Sequence, residues 1–327
     1  MLDSRRVTLA SRLALCLLAA ATLFGFAGSL WWVFDLFSHF RAQYLVAAWL
    51  LALTLVVFRD RRWALLAAAL GVANLFPVVP LFLPTVQAAA PVAGHPLRLV
   101  SFNVFGFNRE YARLLEYVAR ERPDVLVLLE VTPEWMPSVR ELARDYPHQW
   151  INAGNDVSGI AVMSRAAPHT ARTLDLGDNG VPSYLLTLET AHGPLSVLGT
   201  HLNWPIGARA SQVRNSQLVM LAQLARDHAG PVVIVGDLNI TPFSPHFQRL
   251  LHDGGLHRCV PDAGLTPTWP VRFPPLFIQI DHCLATAGVH AWNFEIGEYL
   301  GSDHYPISVD VAPVAAPVAS DSLAGSR

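Results

Sequence analysis

The first 86 residues contain three long runs without a charged side chain, and these runs constrain the fold more than any other feature. Residues 13–34 and 42–58 are two such runs, and residues 63–86 form a third with three prolines near its end. The prolines predict that the third helix kinks or stops near Phe76. A spanning helix needs roughly 20 apolar residues, so we predict three transmembrane helices at about 13–34, 42–58 and 63–83. A cleaved signal peptide is the alternative for the first run, but its apolar core of about 7–15 residues is shorter.

The placement of arginine predicts the orientation of these helices. Three arginines precede the first run and three more lie between the second and third runs, whereas the first connection has only Arg41, offset by Asp35. The positive-inside rule then places the N-terminus and the second connection in the cytoplasm. We therefore expect a multi-pass membrane protein with everything after the third span outside the cytoplasm. In a bacterium this is the inner membrane, with the domain in the periplasm or otherwise outside the cytoplasm.

The rest of the chain divides into a linker, a domain and a tail. Residues 1–86 form the membrane region, residues 87–95 are an Ala- and Pro-rich linker, and residues 313–327 are expected to be disordered. The domain between them, residues 96–312, has 15 arginines and no lysine against 21 acidic residues, a formal charge of −6. Nucleic acid is a possible substrate, but the charge disfavours it, because nucleic-acid binding normally needs a basic surplus.

Short apolar runs alternate with helical patterns in the domain. Strands are predicted at 97–104, 125–129, 160–163, 184–188, 195–199, 232–235, 277–284 and 306–311, and helices at 108–122 and 208–227. So many strands with so few helices predict two packed sheets flanked by helices, which is an α/β sandwich.

Polar residues follow or precede these strands at six places. Taken singly, each has an ordinary explanation, because Asn and Asp favour turns after strands and a lone His is usually structural. Together they are all acids, amides or imidazoles, which suit a divalent cation and proton transfer. The residues are Asn103, Glu130, His201, Asp237, Asn239, Asp281, Asp303 and His304.

The order of these motifs resembles the endonuclease/exonuclease/phosphatase superfamily, the DNase I-like proteins. The matching segments are SFN with Asn103, LLE with Glu130, SGIAVMSR at 158–165, THLN with His201, GDLN with Asp237 and Asn239, IDH with Asp281, and SDH with Asp303 and His304. With three spans before them, the chain is similar to the membrane-anchored bacterial branch of that superfamily. The resemblance implies a four-layer α/β sandwich and metal-dependent hydrolysis of phosphate esters.

The resemblance also implies which residues hold the metal. By position, Glu130 is the principal Mg²⁺ ligand, with Asn103 and Asp303 close to the ion directly or through water. Four carboxylates in one pocket would repel each other without a cation, so we expect dependence on Mg²⁺ or Mn²⁺.

The catalytic roles are carried over in the same way. Asp281 would hydrogen-bond His304 and fix its tautomer. Asp237 would contact the attacking water or the leaving-group proton, and Asn239 would donate to a phosphate oxygen. His201 would either stabilise the phosphoryl oxygens or protonate the leaving group.

Six further residues have weaker support. Arg165 could face the substrate phosphate or form a surface ion pair, and Trp269 could stack on a substrate or cap the core. Arg209 and Arg214 begin the long helix after THLN, where we expect solvent exposure rather than a place in the pocket. Cys259 and Cys283 could form a disulfide in an oxidising compartment or remain separate thiols.

The sequence therefore predicts a membrane-anchored phosphodiesterase or phosphatase acting outside the cytoplasm. Its substrate would be a phosphate ester, with a lipid or lipid-linked phosphate suggested by the tether. A nuclease of the same superfamily and a non-catalytic, membrane-tethered binding protein are the alternatives.

Overall fold

The computed structural model describes residues 4–83, 95–155, 157–177, 180–260 and 264–314. The predicted linker, apart from His95, and the predicted tail beyond residue 314 lie outside these residues.

The N-terminal region is a bundle of three longer helices with one short helix between the first two. They are α1 (Ser4–Phe26), α2 (Trp32–Ser38), α3 (Arg41–Val57) and α4 (Arg61–Val78), with a 3₁₀ turn at Val79–Phe82. Arg12 Nε on α1 donates to the carboxylate of Asp60, just before α4, at 2.7 Å. Helices α1 and α4 therefore begin at the same end of the bundle, and α3 runs in the opposite direction.

Two helices are long and apolar enough to cross a membrane, namely Ser4–Phe26 and Arg61–Phe82. The third predicted span corresponds to α3, whose 17 residues extend about 26 Å at 1.5 Å per residue. That length is shorter than a hydrocarbon core of roughly 30 Å. Joined to α2, from which it is bent by 63°, α3 reaches the length of a span. The structure thus supports two spans, or three if the bent pair counts as one.

The first predicted span, residues 13–34, has the wrong bounds. Helix α1 begins at Ser4 and ends at Phe26, because the chain turns over 27–30 and enters α2. The turn brings α2 against α1 so closely that a Cβ on Gly25 would lie 2.8 Å from the carbonyl oxygen of Phe37. A run without charge identifies an apolar region, but it does not show where a helix ends.

The chain from residue 95 onward forms two six-stranded sheets. The strands are β1 (Leu97–Asn103), β2 (Val125–Leu129), β3 (His148–Asn152), β4 (Ile160–Ser164), β5 (Thr170–Asp175), β6 (Pro182–Thr190), β7 (Gly193–His201), β8 (Val232–Asp237), β9 (Leu256–Arg258), β10 (Asp281–Thr286), β11 (Val289–Ile296) and β12 (Ile307–Pro313). The first sheet has the order β11-β12-β1-β2-β4-β3, and the second has the order β5-β6-β7-β8-β10-β9.

The two sheets pack face to face, and helices cover their outer faces. The central core contains side chains of both sheets, including Val127, Val162, Val197 and Val235. Helices α5 (Tyr111–Glu121) and α6 (Met136–Leu142) cover the first sheet, and α7 (Ala208–Asp227) and α8 (Pro245–Gly254) cover the second. The predicted α/β sandwich with two sheets is confirmed. The predicted strand at 277–284 begins only at Asp281, because Ile278 instead forms backbone hydrogen bonds with Trp269 in an isolated bridge.

The bundle contacts the sandwich through buried polar groups. Asp35 on α2 forms an ion pair with Arg214 on α7 at 2.6 Å, and both side chains are almost fully buried. The hydroxyl of Ser244, at the start of α8, also donates to Asp35 at 2.6 Å. Gln43 on α3 donates its amide to the carbonyl oxygen of Phe277 at 2.7 Å. The buried position of Arg214 contradicts the expectation that it is exposed to solvent.

A disulfide joins Cys259 to Cys283. Cys283 lies on β10 and Cys259 follows β9, the neighbouring strand at the edge of the second sheet. The bond therefore ties the last strand of that sheet to the strand that begins with Asp281.

Candidate active site

Strand pairing brings the polar residues to one end of both sheets. In the second sheet, His201 and Asp281 are the register partners of Asp237 on its two sides. In the first sheet, Asn103 pairs with Leu129, so that Glu130 follows at the same edge. The carboxyl ends of the parallel pairs β1–β2 and β7–β8 thus supply side chains to one pocket.

Asn103 links the two sheets across this pocket. Its Nδ2 donates to Glu130 Oε1 at 3.0 Å and to Asp237 Oδ2 at 3.2 Å, while its Oδ1 accepts from the N–H of Phe105. The N–H of Gly106 donates to the other oxygen of Glu130 at 3.3 Å. Burial raises the pKa of Glu130 against the lowering effect of these hydrogen bonds.

Asp281, His304 and Asp237 form a buried chain of hydrogen-bonding groups. His304 Nδ1 lies 2.9 Å from Asp281 Oδ2, and its Nε2 lies 3.8 Å from Asp237 Oδ2. Burial alone would lower the pKa of His304, but Asp281, Asp237 and Asp303 together raise it to about 10. Burial and the neighbouring charge of Asp281 raise the pKa of Asp237 to about 8. The neighbouring carboxyl groups therefore favour the charged form of His304.

His201 has the opposite electrostatic state. Burial, with a smaller effect of the charge on His304, lowers its pKa to about 4, so its imidazole is neutral at pH 7. Its Nε2 lies 3.7 Å from Asp237 Oδ2 and 3.4 Å from the amide nitrogen of Asn239. A neutral imidazole in this position can donate a hydrogen bond to a phosphoryl oxygen, but it is a poor general acid at neutral pH.

Asp303 and Trp269 border the pocket on its partly exposed side. The indole Nε1 of Trp269 donates to Asp303 Oδ2 at 2.9 Å, and the Trp269 ring lies 6.4 Å from the His304 ring. Trp269 thus lies beside the predicted catalytic residues, and its hydrogen bond orients one of the predicted metal ligands.

Two site residues have left-handed backbone conformations. Glu130 has φ of +60° and Asn239 has φ of +51°. Such values are uncommon for residues other than glycine and cluster at functional sites. The N–H of Asn239 donates to Asp237 Oδ1 at 2.8 Å, which shows how the turn holds the carboxylate.

Arg165 does not belong to this site, so the interpretation that it faces the substrate phosphate is wrong. Strand β4 runs antiparallel to β2, and its last residue, Ser164, pairs with Val125 at the start of β2. Arg165 therefore lies at the opposite edge of the sheet, where it donates to the carbonyl oxygen of Pro123 and stacks over Tyr146.

Three supporting residues were not identified from the sequence. The hydroxyl of Thr268 accepts from the backbone N–H of Asp281, and Gly106 donates to Glu130. Arg214 Nη1 donates to the carbonyl oxygen of Asn239 at 3.0 Å. Thr268 lies in the TPTWP segment that drew attention for Trp269, but nothing in the sequence distinguishes its hydroxyl.

The donor set fits a divalent cation. One ligand atom each from Asp237, Asp281 and His304 lies within 4.8 Å of the others. Among the described residues, Asp281 Oδ1 and Asp303 Oδ1 are buried oxygens without a hydrogen-bond partner. Unpartnered carboxylate oxygens are suited to a hard cation such as Mg²⁺ or Mn²⁺. Asn103 presents its nitrogen rather than its oxygen to Glu130 and Asp237, so direct ligation by Asn103 would need its amide to turn over.

Solved structures share this sandwich. An endonuclease/exonuclease/phosphatase from Beutenbergia cavernae matches with a TM-score of 0.57 and 23% identity, over 69% of this chain and 73% of that one. The 3′ phosphatase NExo from Neisseria, bound to a product DNA hairpin, matches with a TM-score of 0.54 and 18% identity, over 65% and 98%. The human Nocturnin catalytic domain with bound sulfate matches with a TM-score of 0.53 and 18% identity, over 67% and 95%. No curated protein matches the sequence.

The protein is thus a two-sheet α/β sandwich with acids, amides and imidazoles gathered at one end of both sheets. The family description "Endonuclease/Exonuclease/phosphatase family" matches residues 100–304, which is more than half of the chain, and the chain belongs to this family. Members of the family are typically hydrolases of phosphate esters and generally use divalent metals.

Proposed function

We propose that this protein is a membrane-anchored, divalent-metal-dependent phosphodiesterase or phosphatase of the membrane-anchored bacterial branch of its family, acting outside the cytoplasm. The observation that carries the proposal is the convergence of Glu130, Asp237, Asp281 and His304 in one buried pocket, with Asp237 contacting groups from both sheets. A non-catalytic binding protein would not need a carboxylate hydrogen-bonded to His304 Nδ1 and a second carboxylate 3.8 Å from its Nε2.

The predicted roles follow from this geometry. Glu130 would be the principal ligand of the cation, with Asn103 and Asp303 close to it directly or through water, and the bound cation would neutralise charge on the phosphoryl oxygens. Asp281 holds Nδ1 of His304, so that Nε2 is directed at Asp237. Asp237 would accept a proton from the attacking water.

The two remaining groups would bind the phosphoryl oxygens. The amide nitrogen of Asn239 lies 3.4 Å from His201 Nε2, so one phosphate oxygen lying against both groups could accept a hydrogen bond from each. Because the pKa of His201 is lowered to about 4, stabilisation of these oxygens is the better supported of its two predicted roles.

The proposed orientation rests on the two ends of the bundle. One end contains the start of α1 and the α3–α4 connection, and its arginines are Arg5, Arg6, Arg12, Arg59, Arg61 and Arg62. The other end contacts the sandwich through Asp35 and Gln43. By the positive-inside rule, the arginine-rich end faces the cytoplasm and the sandwich lies on the other side. Alkaline phosphatase fused after residue 314 should be active in cells, and an inactive fusion beside a fluorescent GFP fusion would contradict this orientation.

The test of activity uses the full-length protein in detergent with bis-p-nitrophenyl phosphate. We expect hydrolysis with Mg²⁺ or Mn²⁺ and none after rigorous chelation. Glu130→Gln and His304→Gln should each lower kcat/KM by about 10²–10⁴-fold, the range for loss of a catalytic or charge-stabilising group. Glu116→Gln, an isosteric change at an exposed position on α5, is the matched control.

Retention of full activity by both variants, or after chelation, would refute the proposal. Single-stranded DNA and a DNA hairpin in the same assay test the nuclease alternative. Faster turnover of DNA than of the small diester would favour that alternative over our proposal.

A further inference from the structure

An apolar groove lies between the bundle and the sandwich, beside the candidate active site. Its volume is about 470 Å³, within the range of roughly 300–1,000 Å³ for ligand pockets. One wall is α3, with Val46, Ala47 and Leu50, and the other wall is formed by loops of the sandwich that include Phe243, Leu265 and Phe277. The lining is largely apolar, unlike the catalytic pocket.

The groove and the catalytic pocket share two loop segments. Thr266 and Ile278 line the groove. The next residues along the same segments support the site, because Thr268 accepts a hydrogen bond from the N–H of Asp281 and Trp269 donates to Asp303. Backbone hydrogen bonds between Trp269 and Ile278 join the two segments. A ligand in the groove would therefore lie against the same short loops that hold the catalytic residues.

The groove is continuous with the surface of α3 that would face lipid. Val46 and Leu50 are 58% and 61% exposed although they line it. They lie on a helix that, under the proposed function, is in the bilayer. Acyl chains surround such a surface, so an acyl chain can enter the groove without crossing water.

Exposed apolar side chains also lie in the loops that follow the strands ending at the candidate site. Phe107 follows β1 and is 76% exposed, and Trp204 follows β7 and is 64% exposed. Ile206 and Phe273, on loops at the same end of the second sheet, are also exposed. The contacts of Asp35 and Gln43 show that this end of the second sheet faces the bundle.

We propose that the groove between α3 and the 265–279 loops binds an acyl chain of a membrane lipid whose phosphate ester is hydrolysed at the neighbouring site. The proposal rests on the proposed function. In the reaction, the oxygen of water bonds to phosphorus, the P–O ester bond breaks, and the departing alcohol oxygen takes a proton. The acyl chain stays in the groove during the reaction and determines which phosphate esters reach the catalytic site.

The test compares two chromogenic diesters with the same leaving group, p-nitrophenyl ethyl phosphate and p-nitrophenyl tetradecyl phosphate. The full-length protein is assayed in phosphatidylcholine nanodiscs with Mg²⁺, and the readout is the tetradecyl-to-ethyl ratio of kcat/KM. Ala47→Trp fills the groove from α3, and Leu265→Gln makes its other wall polar. Each should lower the ratio by about tenfold, the effect of returning roughly two methylenes to water.

The matched control is Val57→Trp, at the other end of α3 and outside the groove. Partition of the tetradecyl chain into the bilayer raises the ratio equally in every variant, so the comparison between variants isolates the groove. An unchanged ratio in Ala47→Trp and Leu265→Gln would overturn the proposal. If wild type hydrolyses neither diester, the proposed function fails instead.

A photoactivatable phosphatidylcholine with a diazirine in one acyl chain tests the groove independently of catalysis. It should crosslink to peptides containing residues 46–50 and 265–279 in wild type and lose the 265–279 crosslink in Ala47→Trp. Absence of that crosslink in wild type would overturn the groove proposal even if the enzyme is active.

Discussion

Replacement of Asp35 by asparagine should destabilise the protein strongly, although Asp35 is far in sequence from every catalytic residue. Its carboxylate accepts from Arg214 and from Ser244, each at 2.6 Å. Asparagine keeps the shape of the side chain and one acceptor oxygen, but it removes the charge. The guanidinium of Arg214, which is 1% exposed, would then be a buried cation without its counter-charge.

The magnitude follows from this burial. Breaking a buried ion pair by removing one partner costs about 3–5 kcal/mol. At about 2–4 °C in Tm per kcal/mol, the range for domains of about 150–250 residues, the expected decrease is about 6–20 °C. An exposed pair provides the comparison, because Arg120 and Glu298 lie 2.8 Å apart with more than half of each side chain exposed. Glu298→Gln should cost less than about 1 kcal/mol.

The assay is thermal unfolding of the full-length protein in detergent, followed by tryptophan fluorescence. A double-mutant cycle with Arg214→Gln separates the pair from its surroundings, since the double variant should lose clearly less stability than the sum of the single variants. A decrease in Tm no larger than that of Glu298→Gln, or additive losses in the cycle, would refute the reasoning.

Three further predictions concern the metal, the disulfide and the sheet. The pKa of Asp237 is raised to about 8, so Mg²⁺ binding at neutral pH must displace a proton from this carboxyl. The affinity of the protein for Mg²⁺ should therefore rise between about pH 6 and pH 8. Equal heats of Mg²⁺ binding in two buffers of different ionisation enthalpy would contradict this. Replacing Cys259 and Cys283 by alanine should lower the free energy of unfolding by about 3 kcal/mol, because the bond spans 24 residues; an unchanged denaturation midpoint would count against it. Gly236→Ala should abolish folding or activity, since a Cβ there would lie 1.8 Å from a carbonyl oxygen of β7. Gly288→Ala should be tolerated, because its Cβ would have no atom nearer than 3.6 Å. Equal yield and activity of the two variants would contradict the packing argument.

The sequence predicted the site best where a polar residue directly follows a run of apolar residues. The run before Glu130 is apolar on both faces, so it predicts a central strand, and β2 is buried throughout. Asp237 and Asn239 directly follow another such run. Polar residues that end central parallel strands meet at one sheet edge whatever the details of packing, and this is why the candidate site could be assembled before its geometry was known.

Features that depend on pairing order or on distant partners could not be predicted. Strand β5 is exposed along most of its length, so it lacks the apolar run that identifies a buried strand. Arg165 was misplaced because nothing in its segment shows that β4 runs antiparallel to β2. Arg214 was expected to be exposed because its partner, Asp35, is 179 residues earlier.

The contact between Asp35 and Arg214 also bears on how this protein can be divided or recombined. A version beginning at residue 95 would keep all twelve described strands. Its helix α7 would still carry the guanidinium of Arg214, but without the carboxylate of Asp35 that pairs with it. The helices are therefore not an interchangeable anchor. A fusion of the sandwich to another protein's membrane segment should fold only if that segment supplies the carboxylate that faces Arg214. The helical bundle and the sandwich therefore have to be exchanged together.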